Sequence, residues 1–251
     1  MRPRLLLVIS TVTIAAAAGC GSSSAGPNSS NGIQSKSGKQ IVAAAVAAAK
    51  RESSFRFVEV SGTGSATERI VDDVGTSDGE QQITVGEGAT ASHITILLAK
   101  GTAYFTGDVT GLEGFTGASA KVAAQLAGKW ISVPPSNAGF SALASSLAVK
   151  TAAARLVQLD GTITRQAESS KLGHPVVPVK VVQTTSQGSL ALTMYVATTG
   201  AALPILIEGK TKATGASARS ISARFSDWGE AVHTSVPKSS VPVSEVQKLE
   251  G

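Results

Sequence analysis

Few residues in this chain have the types and spacing that catalysis or metal binding requires. His93, His174 and His233 are isolated, each in or beside a predicted strand, and none has a partner at the spacing of a metal site. Ser141 lies in a run, 139–143, that is similar to a nucleophile elbow, but the second glycine and the preceding strand are missing. We therefore expect neither a metal site nor a catalytic serine.

The acidic and glycine-rich motifs lead to the same expectation. Asp72 and Asp73 are adjacent on a predicted strand, so their side chains point to opposite faces and do not form a carboxylate pair. Residues 62–67 partly match the dinucleotide-binding fingerprint, which requires a helix next, whereas residues 68–74 are predicted to be a strand. The sequence thus predicts a protein that is not an enzyme and that uses no cofactor.

Cys20 is the only cysteine in the chain, so it can form no internal disulfide. Arg2 and Arg4 precede an uncharged apolar run of 14 residues, 5–18, which is shorter than the ~20 residues of a membrane span and typical of a secretory signal. The run ends in Ala-Ala-Gly-Cys, which is similar to the bacterial lipobox, although alanine stands where leucine is more common. We predict that residues 1–19 are a signal peptide and that Cys20 is lipidated, which places the protein on the extracytoplasmic face of the cell membrane. A secreted chain with a free thiol is the alternative.

The remaining chain divides into a tether and a domain. Residues 21–38 are mostly Gly, Ser, Asn and Pro, so residues 20–38 are predicted to be the lipidated cysteine and a flexible tether, followed by one domain over 39–251. Without Arg2 and Arg4, 20 basic and 17 acidic residues remain, a net charge of +3, and only 4% of the residues are aromatic. A phosphate-tracking or base-stacking surface would need more of both, so no nucleic-acid partner is expected.

The hydrophobic pattern changes its period along the domain. Ser37 is placed to cap a helix over 38–51, and a period of two then predicts about five strands between residues 55 and 105. Helical patterns follow at 118–127, at 140–147 with Asn137 as its cap, and at 152–159. About five further strands are predicted from 161 to 225; the last three are consecutive and antiparallel, with Pro204 at the start of one of them.

The order of these elements determines the fold class. No helix separates neighbouring strands, which excludes a parallel doubly wound sheet. We predict an α+β fold in which a single curved antiparallel β-sheet forms a half-barrel and helices cover its concave face. The helix that carries Phe140, Leu143 and Leu147 is predicted to fill that face.

Several stretches resemble the actinobacterial LppX/LprG-type (LppX_LprAFG) lipoproteins. They are Tyr195-Val196-Ala197 with Gly200 and Leu203-Pro204-Ile205, Phe225-Ser226-Asp227-Trp228-Gly229 with Pro237, Gly128-Lys129-Trp130-Ile131, and the first helix leading into Phe55-Arg56-Phe57. The resemblance covers about residues 40–237. It implies a fold similar to the LolA/LolB carriers, in which helices close an apolar cavity in a half-barrel, and some members of the family carry acylated glycolipids or other long-chain lipids across the cell envelope.

The resemblance implies a membrane-anchored, non-enzymatic carrier that binds lipid or glycolipid acyl chains in an apolar cavity. From the faces of the predicted elements we expect the cavity to be lined by Phe140, Leu143, Leu147, Leu192, Met194, Val196, Ile205 and Ile207. The alternative is a half-barrel with a filled interior that serves as an interaction or sensor module for another envelope protein. A monomer is expected, and in the carrier Leu147→Asp or Met194→Asp should abolish lipid co-purification and leave the fold intact.

Overall fold

The computed structural model of the protein describes residues 29–250 except 63–65, 150, 152–160, 187 and 216. The helix predicted at 152–159, the whole predicted signal peptide and residues 20–28 of the predicted tether therefore lie outside the described residues. The helices are α1 (Gly38–Ala49), α2 (Val109–Thr116), α3 (Ala120–Leu126), α4 (Phe140–Ser146) and α5 (Val243–Glu250). The strands are β1 (Phe55–Ser61), β2 (Glu68–Val74), β3 (Gly79–Val85), β4 (Ser92–Ala99), β5 (Thr102–Gly107), β6 (Ile131–Val133), β7 (Thr162–Arg165), β8 (Ser169–Lys171), β9 (His174–Thr185), β10 (Gly188–Ala197), β11 (Pro204–Ala213), β12 (Arg219–Ser226) and β13 (Val241–Pro242).

The described part of the chain forms one sheet of 13 strands. Its order is β13-β6-β5-β4-β3-β2-β1-β12-β11-β10-β9-β7, and β8 pairs with β9 beside this path. The neighbours are antiparallel apart from β13, which pairs in parallel with β6. The sheet does not close, because β13 and β7 remain at its two edges. The predicted α+β fold with one long antiparallel sheet is confirmed.

The three predicted consecutive strands pair as β10, β11 and β12, and Pro204 is the first residue of β11, where its missing N–H costs no ladder hydrogen bond. A β-bulge interrupts the first pair. Tyr195 lies opposite Leu206 and Val196 lies opposite Pro204, so Ile205 is an extra residue in β11.

The bulge corrects one strand-face assignment. Ile205 packs in a small cluster with Val176 and Leu206, whereas Ile207 packs in the large cluster beneath α1. Strict alternation along residues 203–207 predicts that Ile205 and Ile207 share a face. The extra residue changes the parity of the strand, which sequence alternation alone does not reveal.

Helix α1 begins at a capping box. The Ser37 hydroxyl accepts a hydrogen bond from the Gln40 backbone N–H at 3.4 Å, and the Gln40 side-chain oxygen accepts one from the Ser37 N–H at 3.0 Å. The buried face of the helix consists of Ile41, two valines, one glycine and three alanines, of which Ala45 and Ala49 belong to the predicted stripe. Small side chains allow a helix to lie close to a sheet, and the predicted cap and buried stripe are both confirmed.

Helix α2 was not predicted, because its sequence contains two glycines and two threonines and has little intrinsic helix propensity. Tertiary contacts stabilise it instead. The Asp108 carboxylate accepts from the Gly111 N–H and from the His93 N–H, both at 2.7 Å. A Cβ at Gly111 would come within 2.3 Å of the His93 carbonyl oxygen, so only glycine permits this close approach of helix and strand.

The remaining differences concern element ends and short elements. Helix α4 begins at Phe140, and Asn137 accepts a hydrogen bond from the Gly139 N–H at 2.9 Å in the preceding turn, so the predicted cap position is wrong by two residues. Strands β8 and β13 and helix α5 were not predicted; the two strands have three and two residues, too few to show a period.

Residues 29–36, which the sequence analysis assigned to the tether, lie on the domain. The Asn31 N–H donates to the Thr198 carbonyl at 2.9 Å, and the Gly200 N–H donates to the Ser29 carbonyl at 3.0 Å. Ile33 is fully buried in the cluster beneath α1. The domain therefore includes residues 29–36, and eight residues, 21–28, lie between Ser29 and Cys20.

We expect Ile33→Ala to lower the free energy of unfolding by about 2–5 kcal/mol, because it removes buried methylenes and leaves a cavity. The measurement is urea unfolding of the chain from Gly21 onward, followed by circular dichroism. Val85→Ala is the control, since Val85 is 43% exposed and its truncation should change stability by no more than about 0.5 kcal/mol. Equal effects of the two substitutions would contradict the packing of residues 29–36 on the domain.

Candidate functional site

The helix-covered face of the sheet carries two separate apolar clusters. One, the α1 cluster, lies between α1 and strands β9–β12 and β1; the other, the α2–α5 cluster, lies between the remaining helices and strands β4–β6. The α1 cluster contains Ile33, Ile41, Val42, Ala45, Val46, Ala49, Phe55, Val74, Val149, Val177, Val179, Leu192, Met194, Val196, Ile207, Ala223 and Phe225. The α2–α5 cluster contains Ile94, Ile96, Leu98, Ala103, Phe105, Leu112, Val122, Ala123, Leu126, Ile131, Val133, Leu147 and Val246.

The structure divides the eight predicted lining residues among three places. Leu192, Met194, Val196 and Ile207 belong to the α1 cluster. Leu147 belongs to the α2–α5 cluster, with Phe140 and Leu143 partly buried against it. Ile205 lies in neither, as described above. Whether any of these residues contacts a ligand stays a prediction.

A strip of polar side chains lies between the two clusters. Asp72 on β2 faces Phe57 of β1 on one side and Gln81 of β3 on the other, and Gln81 faces Ile96 of β4. Directly opposed residues in an antiparallel pair share one face, so Asp72 and Gln81 lie on the helix-covered face. Phe57 packs against the α1 cluster and Ile96 belongs to the α2–α5 cluster. The polar strip therefore separates the two apolar surfaces.

Both strip residues are buried, Asp72 with 5% and Gln81 with 7% of its surface exposed. The half-buried Glu59 lies on the same face, since its partners Ala223 and Ile70 continue the neighbouring row. Sequence reasoning missed this strip. Strand β2 carries apolar residues on both faces, so alternation alone does not show whether Asp72 or Asp73 points toward the helices.

Asp73 lies on the opposite face, as the sequence predicts. Its carboxylate forms an ion pair with Arg56, at 2.8 Å and 2.9 Å from one guanidinium nitrogen, and both side chains are about 40% exposed. An exposed pair of this kind contributes little to stability. The two adjacent aspartates thus form no paired-carboxylate site.

A short segment after α4 connects the two clusters. Leu147 packs in the α2–α5 cluster and Val149 in the α1 cluster. The Val149 N–H donates to the Gly75 carbonyl at 3.1 Å, and a Cβ at Gly79 would lie 3.0 Å from the Leu147 Cβ. The turn between β2 and β3 therefore holds this segment across the end of the polar strip.

Three titratable side chains meet on the other face of the sheet. Glu208 accepts hydrogen bonds from Lys171 at 2.9 Å and from the Tyr195 hydroxyl at 2.8 Å, and the Lys171 ammonium lies 4.8 Å above the Tyr195 ring. The bond from Lys171 lowers the pKa of Glu208, and the same bond raises the pKa of Lys171. Burial, followed by the bond to Glu208, raises the pKa of Tyr195. Near neutral pH the lysine stays charged and the phenol neutral, so both donate to the Glu208 carboxylate and the three side chains act as a clamp between β8 and strands β10 and β11.

Two surface grooves are lined by residues other than the eight predicted for the cavity. One of about 500 Å³ lies at the ends of β9–β12 between Leu190 and Arg219, and one of about 360 Å³ lies along the outer side of α1 between Lys39 and Lys50. Within the described part of the chain, no three His, Cys, Asp or Glu side chains are placed to hold a metal ion. The described helices include none with the length and apolar character that crossing a membrane requires.

Comparison with solved structures shows what this architecture resembles. The crystal structure of LprF from Mycobacterium bovis, a lipoprotein of the LppX/LprG type, matches 80% of this chain and 96% of its own, with a TM-score of 0.53 and 15% sequence identity. The chain has the LppX/LprG-type fold.

Two further solved structures are similar over comparable lengths. Lipoprotein LppX from Mycobacterium tuberculosis matches 78% of this chain and 99% of its own, with a TM-score of 0.47 and 14% identity. MucB, solved in complex with MucA, matches 80% of this chain and 60% of its own, with a TM-score of 0.39 and 12% identity. No protein-family model and no curated protein sequence matches the chain.

The substitution Gln81→Leu tests whether the buried amide of the polar strip destabilises the folded protein. The Gln81 amide forms no hydrogen bond with another described side chain, so leucine removes a buried polar group and adds apolar contact between the clusters. We expect the free energy of unfolding to rise by about 1 kcal/mol in urea denaturation.

Gln82→Leu is the matched control, because Gln82 is exposed on the opposite face and its amide donates to Glu80 at 2.7 Å. Its effect should stay within about 0.5 kcal/mol. A loss of stability in Gln81→Leu would show that the amide has an essential partner in the folded protein and would contradict this reading of the strip.

Proposed function

We propose that this protein is an extracytoplasmic lipoprotein, anchored to the cell membrane through Cys20, whose domain binds the acyl chains of a lipid or glycolipid without chemical conversion. The observation that carries the proposal is the division of the helix-covered face into two apolar clusters under separate helices. Each cluster offers a sheet surface and a helical cover that can separate from it. The LppX/LprG-type fold supports the proposal, and we expect the protein to act as a monomer.

The composition of α1 favours such a separation. Three of its buried residues, Ala45, Ala48 and Ala49, contribute one methyl group each to the contact with the sheet. Burial of a methylene group stabilises by ~0.8 kcal/mol, so a helix built on alanine loses less on leaving the sheet than one built on leucine. An acyl chain that takes its place contributes several methylenes to the same surface.

The polar strip limits where acyl chains can lie. An acyl chain that crossed the strip would displace the protein groups that cover the buried Asp72 carboxylate and leave methylenes, which offer it no hydrogen bond, and this is costly. We therefore place acyl chains within the α1 and α2–α5 clusters, on either side of the strip, rather than across it. A two-chain lipid fits this division.

A specific observation favours the second candidate, an interaction or sensor module of the cell envelope without a lipid ligand. Leu147 and Met194 are 0% and 1% exposed, so side chains of the protein itself fill the described interior. A half-barrel with a permanently filled interior would present its surface, and not its core, to a partner protein.

Native mass spectrometry followed by solvent extraction distinguishes the two functions. The chain is expressed from Gly21 onward, because Ile33 packs in the core and a start at Ser37 would remove it. A carrier should retain lipid at close to one-to-one stoichiometry. A protein mass without lipid, unchanged after incubation with extract of the native membrane, would favour the interaction module.

The burial pattern changes which substitutions are informative. Aspartate at position 147 or 194 would place a charge at a fully buried site and unfold the domain, so loss of lipid would follow for either function. Phe140 and Leu143 are only partly buried at the edge of the α2–α5 cluster. Their replacement by glutamine is compatible with folding.

We expect the double variant Phe140→Gln, Leu143→Gln to retain less than about a third of the wild-type lipid, because it loses apolar contact on the order of 1–2 kcal/mol. Lipid per protein is measured by extraction and mass spectrometry. The control Ser141→Gln, Ala142→Gln alters exposed positions of the same helix and should retain wild-type lipid. Equal lipid content in both variants would exclude this end of α4 from the binding site.

A further inference from the structure

The hairpin between β8 and β9 exposes a leucine in an unfavourable backbone conformation. Lys171 pairs with His174, so Leu172 and Gly173 form a two-residue turn, and their φ angles are +52° and +80°. Turns with two positive φ angles favour Asn-Gly, because a side chain such as leucine is strained in the left-handed region. Leu172 is nevertheless 47% exposed at the tip. Neither turn geometry nor core packing explains a leucine at this position.

The hairpin is held firmly against the sheet. Lys171, the residue before the turn, forms the clamp with Glu208 and Tyr195 described above. At the base of β9 the Pro175 carbonyl accepts from the Thr198 N–H at 3.0 Å and from the Thr198 hydroxyl at 3.2 Å. The leucine is therefore presented at a fixed position.

The start of the described chain lies beside this hairpin. The Asn31 N–H donates to the Thr198 carbonyl, and the Thr198 N–H donates to the Pro175 carbonyl near the start of β9. Hydrogen-bonded backbones lie about 4.8 Å apart, so the chain start is about two such spacings from β9. Cys20 precedes Ser29 by nine residues. A random coil of nine residues with the Gly/Ser-rich composition of the predicted tether would span about 15–18 Å, so a lipidated Cys20 would keep this corner of the domain near the bilayer surface.

The charges around the corner are compatible with an anionic bilayer. The turn between β10 and β11, residues 198–203, contains no charged side chain. The hairpin tip, residues 172–175, contains no acidic side chain. Lys36, three residues after Ile33, is exposed. Four acidic residues, Asp73, Glu80, Asp227 and Glu230, instead surround a groove near β1–β3. Four strand positions, about 19 Å across the sheet, separate β1 from β9, which carries the hairpin tip. Closer to the β10–β11 turn, Glu52 lines a groove with Lys36, Arg51 and residues 200–202, so two basic side chains accompany the acidic one there.

We propose that the β8–β9 hairpin docks the domain on the membrane surface, with Leu172 inserted among the lipid headgroups beside the anchored chain start. The inference rests on the proposed lipidation of Cys20 and is independent of whether the interior carries lipid. It gives the strained leucine a role, because an apolar side chain fixed at a hairpin tip enters the interface without loss of side-chain contacts elsewhere.

The test uses the lipidated chain, purified from a bacterial membrane fraction and reconstituted in vesicles of phosphatidylethanolamine and phosphatidylglycerol. Lipidation consumes the thiol of Cys20, so a second cysteine can be labelled alone. An environment-sensitive fluorophore is attached at Leu172→Cys, or at the control Val85→Cys, which is similarly exposed at the opposite end of the sheet. Quenching by headgroup spin-labelled lipid should be at least threefold stronger at position 172. Equal quenching in vesicle-bound protein would overturn the inference.

Leu172→Asn separates docking from a structural role. Asparagine suits the turn better than leucine, so the unfolding midpoint should stay the same or rise. With the fluorophore at Ala201→Cys in the neighbouring turn, the substitution should reduce quenching at least twofold. Unchanged quenching at Ala201→Cys would overturn the inference. Vesicle flotation shows whether the chain is anchored at all. A chain that does not float with the vesicles has no lipid anchor, and both the anchored-lipoprotein proposal and the docking inference then fail.

Discussion

Burial of one face of a long, open antiparallel sheet is the constraint on which the rest of this structure depends. A sheet of this width exposes far more apolar surface than a single helix can cover, and it does not close on itself. The protein covers the surface in two parts, with an alanine-rich helix over one and a group of short helices over the other. Many local features serve this arrangement, including the capping box that starts α1 and the glycine that lets α2 approach β4.

The polar strip lies between the two covers and places a carboxylate and an amide in the interior of the domain. Asp72 and Gln81 are buried on the helix-covered face between two apolar clusters, at a cost that uninterrupted hydrophobic packing would avoid. Between Leu147 and Val149 the chain crosses from one cluster to the other, and the β2–β3 turn holds it there. A fold with two independently covered surfaces and a polar strip suits a ligand with two apolar parts. The same features describe a filled interior when no ligand is present, which is why lipid content and not fold decides between the two functions.

The position of the first described residues on the domain bears on how the proposed anchored protein is oriented relative to the membrane. The first described residues are attached beside the β10–β11 turn and the β8–β9 hairpin, so this corner is the part of the described domain nearest in sequence to the proposed anchor at Cys20. The Lys171, Tyr195 and Glu208 clamp fixes the hairpin by charge-assisted hydrogen bonds on a partly exposed surface. In the anchored protein that we propose, this corner of the sheet faces the membrane.

The sequence by itself determined the period of each main element, the capped first helix, the antiparallel order of β10–β12 and the family likeness. These properties depend on neighbouring residues, such as the alternation along 189–196 and the Ser37–Gln40 pair, and they can be derived from the chain alone. It also predicted the two opposite faces of Asp72 and Asp73, since alternation in a strand is local.

Tertiary structure decided which of those two faces points inward, because β2 is apolar on both sides and only its pairing with β1 and β3 fixes its orientation. It also decided the bulge that moves Ile205 off the face of Ile207, the helix at 109–116 that exists through contacts with β4, and the attachment of residues 29–36. Each of these depends on residues far apart in the chain coming within contact distance. A local pattern contains no information about such distances, so the division of the predicted lining into two clusters became visible only in the folded protein.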